Sequence, residues 1–212
     1  MHSSFKTLKT EGRGEIIEKH SRFISSTSPA SSEKEALEFI NRIRSKYQDA
    51  SHNVYVYSVH EGETGYCRYS DDGEPSGTAG LPILDVIKQE GLADLAIVVT
   101  RYFGGTLLGK GGLVRAYSRC ASAGILAAGI IQKVLCRSIS LDFDYVFLGK
   151  IQAFVSSKSF KVDATEFKDK ISMNIWVPAD EVCSFTHQIG EITSAKAIIT
   201  LGNIKYIVME EQ

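Results

Sequence analysis

The run Thr100–Ser118, "TRYFGGTLLGKGGLVRAYS", packs five glycines and three cations together and spells G-x-x-x-x-G-K from Gly104 to Lys110. That spacing is the one with which a phosphate-binding loop cradles a nucleotide, provided a Ser or Thr follows the Lys to hold magnesium. Here Gly111 follows Lys110, and "RYF" separates the preceding apolar run from the first glycine. Nucleotide hydrolysis by this loop is therefore not expected. Two weaker readings fit the same residues. Glycines leave backbone N–H groups free to converge on an anion at the start of a helix, with Arg101 and Arg115 flanking it. Alternatively, Gly104, Gly105, Gly111 and Gly112 only make tight turns where backbone passes close to backbone.

A second polar loop, "RYSDDGEPSGTAGLPIL" (Arg68–Leu84), places Asp71, Asp72 and Glu74 just before Ser76 and Thr78. Three carboxylates suit a hard cation, but the alternation and distal Glu of a calcium loop are missing. The plainer reading is a turn in which Ser76 or Thr78 caps a helix starting near Ala79. An acidic turn and a cationic loop also suit each other. Asp71, Asp72 and Glu74 are expected to pair with Arg101 and Arg115 in one polar cluster, with Asp72–Arg101 its leading pair. His52 is read either as a residue bonding the neighbouring loop or as the base of a hydrolase; Cys67, Ser70 and Ser76 are the nearest nucleophiles. Tyr102 and Phe103 beside Arg101 have the composition that stacks RNA bases, but packing beneath the loop is the preferred reading.

The elements that would position these residues follow from periodicity. Ser32 and Glu35 have capping-box spacing ahead of Ala36, Ile40, Ile43 and Tyr47, which predicts a helix over residues 32–47. Strands are expected at Gly14–Glu18, Phe23–Thr27 and Asn53–Val59, the last followed by a turn at "EGETG" (61–65). Leu95–Thr100 is continuously apolar and reads as a strand covered on both faces. Gly112–Gly129, rich in small residues, reads as a closely packed helix. From about Leu135 the order becomes strand, helix, strand, strand, helix, strand, the split βαβ or ferredoxin-like arrangement. Trp176, on the alternating "SMNIWV", is expected to pack against one of its helices.

The chain has 212 residues, 43% of them hydrophobic, enough for two cores, and its 24 Lys and Arg nearly balance 25 Asp and Glu. A basic field for nucleic acid is thereby excluded, and any such surface must be a local patch. Cys67, Cys120, Cys136 and Cys183 lie far apart with no zinc-ligand spacing, which predicts reduced thiols in the cytoplasm. Neither a signal core nor a stretch long enough to span a bilayer is present, so no membrane association is expected. No metal and no cofactor are called for.

Taken together, "SDDGEPSGTAGLPIL" and "VVTRYFGGTLLGKGGLVRAY", with "SRFI" and "ASHN" upstream, resemble the IMPACT family, in particular its short bacterial members of the YigZ type. Two positions depart from the family pattern: Val54 stands where the family has Cys after His-Asn, and Lys110 where it has a small residue. The resemblance implies an α+β chain of two domains, residues 1–135 and 136–212. The first would be an α/β sandwich like the fold shared by a ribosomal protein and the fourth domain of elongation factor G, a mixed sheet backed by two helices. The second would be ferredoxin-like, as in the fifth domain of that factor. It also implies a non-enzymatic translation-associated regulator that contacts RNA or the ribosome. The contact would run through Arg101, Tyr102, Gly104, Gly105, Lys110, Gly111, Gly112 and Arg115, with His52, Asp71, Asp72, Glu74, Ser76 and Thr78 ordering the loops. Eukaryotic members act in starvation control through an additional N-terminal domain that is not expected here. A small-molecule hydrolase in the same cleft and a protein-interaction module with a protein partner stand as alternatives.

Overall fold

A strand that is apolar at nearly every position must be covered on both faces, and the strand holding Leu95–Thr100 is. The computed structural model describes residues 3–61 and 64–209, so the middle of the expected 61–65 turn lies outside the described residues. Two compact units divide the described residues: 5–61 with 64–131, and 132–209 together with residues 3–4.

In the first unit the elements run β1 (Ser4–Leu8), β2 (Gly12–Glu18), β3 (Ser21–Pro29), α1 (Glu33–Lys46), β4 (His52–Glu61), β5 (Thr64–Ser70), α2 (Gly80–Gln89), β6 (Leu95–Tyr102) and α3 (Lys110–Ala128). The main sheet has the order β2-β3-β6-β4-β5. β6 is central, and its alternation sorts the helices. Leu95, Ile97 and Val99 pack with Val54 and Val56 in the core beneath α2 and α3. Ala96 and Val98 face the other way, with Tyr57, Val59 and the α1 residues Ala36, Phe39, Ile40 and Ile43. Burying Phe39, Ile40 and Ile43 contributes roughly 1.5–3 kcal/mol per side chain before entropy is charged. Ser32 caps α1 as its spacing predicts, its hydroxyl accepting from Glu35 N at 3.3 Å.

Two features differ from the expected mixed sheet backed by two helices. Every described pairing in this sheet is antiparallel. A third helix, α1, covers the opposite face, because a central strand apolar on both sides leaves that face too apolar for water.

α3 approaches β2 and β3 through residues without bulk. A Cβ on Gly14 would lie 2.6 Å from the backbone carbon of Ala123, and one on Gly124 would lie 2.2 Å from Ser25 Oγ. Gly129 ends the helix with φ +71°.

The second unit follows the predicted order: β7 (Ile130–Phe143), α4 (Leu148–Ser157), β8 (Lys161–Phe167), β9 (Ile171–Pro178), α5 (Val182–Thr193) and β10 (Ile198–Met209). β10 pairs β7, which pairs β9, which pairs β8, all antiparallel, as a ferredoxin-like sheet requires. Ile139, Leu141, Ile175 and Val177 form its core with Ile151, Val155, Phe185 and Ile189 of the two helices. Trp176 does not join them. It lies on the opposite face with Cys136 and Ile207, because strand alternation points it away from its neighbours Ile175 and Val177. Lys205 Nζ sits 4.3 Å from its ring centre. β10 is interrupted by a bulge between Leu201 and Ile204. Among the described residues no helix is long and apolar enough to cross a membrane.

Candidate functional site

The acidic loop leaves β5 and reverses direction at Asp72 and Gly73, with φ +44° and +87°. That reversal sends its three carboxylates to three different places. Asp71 turns toward α2, accepting from Gly80 N at 2.8 Å, Gly77 N at 2.9 Å and Ala79 N at 3.2 Å. Asp71 therefore does the capping expected of Ser76 or Thr78. Thr78 Oγ1 instead donates to Pro75 O at 2.6 Å, and exposed Ser76 is placed outside the helix start. Asp71→Ala is expected to cost about 1–2 kcal/mol, since three N–H groups at a helix start lose their acceptor. A urea midpoint that falls at constant slope would show it, and an unchanged midpoint would contradict it.

Asp72 turns back to the sheet, where Oδ2 accepts from Asn53 N at 2.7 Å and Oδ1 from Arg44 Nη2 at 3.3 Å. Glu74, not Asp72, receives Arg101. The Glu74 and Arg101 side chains are only 3% and 6% exposed, with Arg101 Nη1 to Glu74 Oε1 at 2.6 Å. The same oxygen accepts from Tyr117 OH at 2.7 Å. Burial, and then the adjacent Glu74 carboxylate, push the Tyr117 hydroxyl well above the ordinary phenol range, so it stays a donor. Two rings lie against the guanidinium, its carbon 5.3 Å from the centre of Phe23 and 5.5 Å from that of Phe103. Arg101 is thus a buried, paired residue and not the phosphate contact the sequence suggests.

His52 closes the cluster from β4. Its Nδ1 lies 2.8 Å from Asp72 O, and a carbonyl only accepts, so Nδ1 carries the proton. Nε2 is left facing Glu74 Oε1 at 3.9 Å. Behind it Asn53 Oδ1 accepts from Thr100 Oγ1 at 2.7 Å, tying β4 to β6.

The glycine loop divides its labour. Gly104 passes His20 so closely that a Cβ would lie 2.1 Å from the His20 carbonyl carbon, which is the tight-turn reading. Gly105 and Gly109 hold φ +80° and +72°, and Gly109 is the N-cap of α3 without any side-chain bond. No acid lies in the first turn of α3. The N–H groups around Lys110, Gly111 and Gly112 at that helix start are therefore free of an acidic cap, which is the anion-site reading. Lys110 and Arg115 are exposed and form no ion pair among the described residues. Arg115 does not join Arg101. It borders a separate hollow with Glu18, Lys19, Leu108, Gly112 and Arg119. Tyr102 donates from its hydroxyl to Asp49 Oδ1 at 2.9 Å, whereas Phe103 is 48% exposed.

Between the two loops lies a cleft of about 470 Å³. His52, Glu74 and Arg101 form its polar side, Phe103, Leu108 and Leu113 its apolar side, and Lys110 lies at the start of α3. No Ser, Thr or Cys side chain lines it among the described residues. Cys67 lies elsewhere, 3.3 Å from Ser58 Oγ, and burial pushes the Cys120 thiol up to about 12. Nor is any group of three His, Cys, Asp or Glu side chains gathered for a metal among the described residues. Tyr117, Phe23 and Asn53 were not marked by the sequence as site residues, since each looks like an ordinary core position of its element.

Comparison with known proteins bears on both units. The family model described as the Impact N-terminal domain matches residues 19–125, and one described as a domain of unknown function (DUF1949) matches residues 141–196. "IMPACT family member YvyE" of Bacillus subtilis (strain 168) is 38% identical over 208 residues, covering 98% of this chain and 94% of its own. "IMPACT family member YigZ" of Escherichia coli (strain K12) is 27% identical over 194 residues, covering 91% and 92%. A solved structure titled "Crystal structure of an hypothetical protein" superposes over 100% of both chains with a TM-score of 0.61 at 25% identity. Both polar loops fall inside the first matched segment, and the alignment with YvyE runs nearly from end to end: the chain belongs to the IMPACT family.

Proposed function

We propose that the chain is a non-catalytic, translation-associated regulator that contacts RNA phosphates with the 103–112 loop and the first turns of α3. Membership places it in a family that is regulatory and translation-related in general. The observation carrying the finer reading is the start of α3, where uncapped N–H groups sit beside Lys110 and Arg115, cations with no acidic partner among the described residues. Lys19 extends the patch, whereas Arg119 is paired with Glu18 at 3.1 Å, and exposed Phe103 and Leu107 add surface against which bases stack. Glu74 neutralises Arg101, which therefore supports the loop from beneath.

Co-sedimentation of the full chain with ribosomes and with a single-stranded uridine oligomer across a salt series tests this. Binding is expected to fall with salt, and Lys110→Ala/Arg115→Ala is expected to weaken it and lower the salt slope by about 2. Equal binding and slope in that folded variant would refute the assignment. The hydrolase reading has the His52–Glu74 cleft behind it, but the lining described above supplies no nucleophile.

A further inference from the structure

The cleft is built more specifically than phosphate contact requires. Glu74 Oε1 takes both buried donors, Arg101 and Tyr117, while Oε2 accepts from no described residue. A carboxylate that lines the cleft and is 97% buried at its side chain thus keeps one oxygen without a donor. His52 adds a second acceptor. With Nδ1 donating to Asp72 O, Nε2 is the ring nitrogen left to accept, beside Glu74.

Two neighbouring acceptors call for a ligand edge with two neighbouring donors. Among the bases only guanine offers one, its N1–H and N2–H₂; adenine and cytosine each place an acceptor beside their amino group, and uracil has a single N–H between two oxygens. The rest of the cleft suits a flat base with an anionic tail. Phe103 offers an exposed ring and Leu108 and Leu113 an apolar wall. The start of α3 and Lys110 meet the tail. That positive rim disfavours a cationic donor group such as an arginine guanidinium or a lysine ammonium. A volume near 470 Å³ falls within the roughly 300–1,000 Å³ usual for small-ligand sites.

We propose that this cleft is a guanine pocket: the base edge is read by Glu74 and His52, its face lies on Phe103, and its phosphate rests at the start of α3. The proposal builds on the RNA-contact reading and adds base identity to it. The guanine comes either from a single strand or from a free nucleotide.

Calorimetric titration of the full chain with guanosine, inosine and adenosine monophosphates and with acetyl-arginine amide tests it. The guanosine nucleotide is expected to bind at least about tenfold more tightly than the other three, inosine being the control that lacks N2. Glu74 cannot be changed without stranding Arg101, so Phe103→Ala is the informative variant, and it is expected to lose about tenfold in guanosine nucleotide affinity while remaining folded. Equal binding of guanosine and adenosine nucleotides, preference for the arginine amide, or indifference to Phe103→Ala would each overturn the pocket. The trinucleotide U-G-U binding more tightly than the mononucleotide identifies a strand as the source, and the reverse identifies a free nucleotide. The uridine oligomer, having no guanine, tests the phosphate surface alone, so either idea can fail without the other.

Discussion

Arg101→Met is expected to destabilise the first unit by about 3–5 kcal/mol, because it leaves the Glu74 carboxylate buried without its cation. Glu74 would keep Tyr117 as its one strong donor, at 2.7 Å. A neutral hydroxyl does not balance a charge that is 97% withdrawn from water. The paired change Arg101→Met/Glu74→Leu is expected to recover a large part of the loss, since removing both charges removes the desolvation they share. Urea denaturation of the three proteins measures this. A single-variant loss below about 1 kcal/mol would show that the pair is solvated like a surface bridge, and would remove the structural role given to Arg101.

Gly14→Leu is the second large effect, expected near the top of the about 1–3 kcal/mol that overpacking costs. The obstacle is backbone: a Cβ there already lies 2.6 Å from the Ala123 carbon and the Gly124 nitrogen, and neither has a side-chain rotamer to change. α3 must lift from β2, which carries the start of α3 away from the cleft. Gly105→Leu is the contrast. Nothing lies within 4 Å of a Cβ there, so only its φ of +80° is penalised, by about 1–2 kcal/mol. If both variants lose equal stability, close helix–strand approach is not the reason for Gly14.

Periodic segments were legible. The α1 cap, the two-sided burial of β6 and the strand–helix order of the second unit all follow from local spacing. What the sequence hid was long-range. β1 is a short strand beside residues near Leu92, and its polar Lys and Thr carry no strand period of their own. β5, "TGYCRYS", is an edge strand with little buried, so it reads as a polar segment. The acidic loop shows the limit best. Asp71, Asp72 and Glu74 are chemically alike, and a left-handed turn at Asp72–Gly73 decides which caps a helix, which ties a strand and which meets Arg101. Arg115 was expected beside Arg101 for want of the same information: helix phase alone directs it to another surface.

The two glycine-rich stretches thus answer to different forces. Gly104 is fixed by the backbone of His20, whereas Gly109, Gly111 and Gly112 keep a helix start bare. Lys110, where relatives were expected to carry a small residue, adds a cation to that bare start.

The bulge in β10 bears on what its outer edge can pair with. β10 is an outer strand whose exposed residues include Ile198, Leu201, Ile204 and Val208. A straight ladder of that composition would offer its unpaired N–H and C=O groups as a template for another chain's strand. The register slip between Leu201 and Ile204 breaks the ladder into two short pieces with a local twist between them. An incoming strand would find no more than a few successive partners before the register fails. The irregularity thereby guards an apolar edge against aggregation that its side chains would otherwise invite.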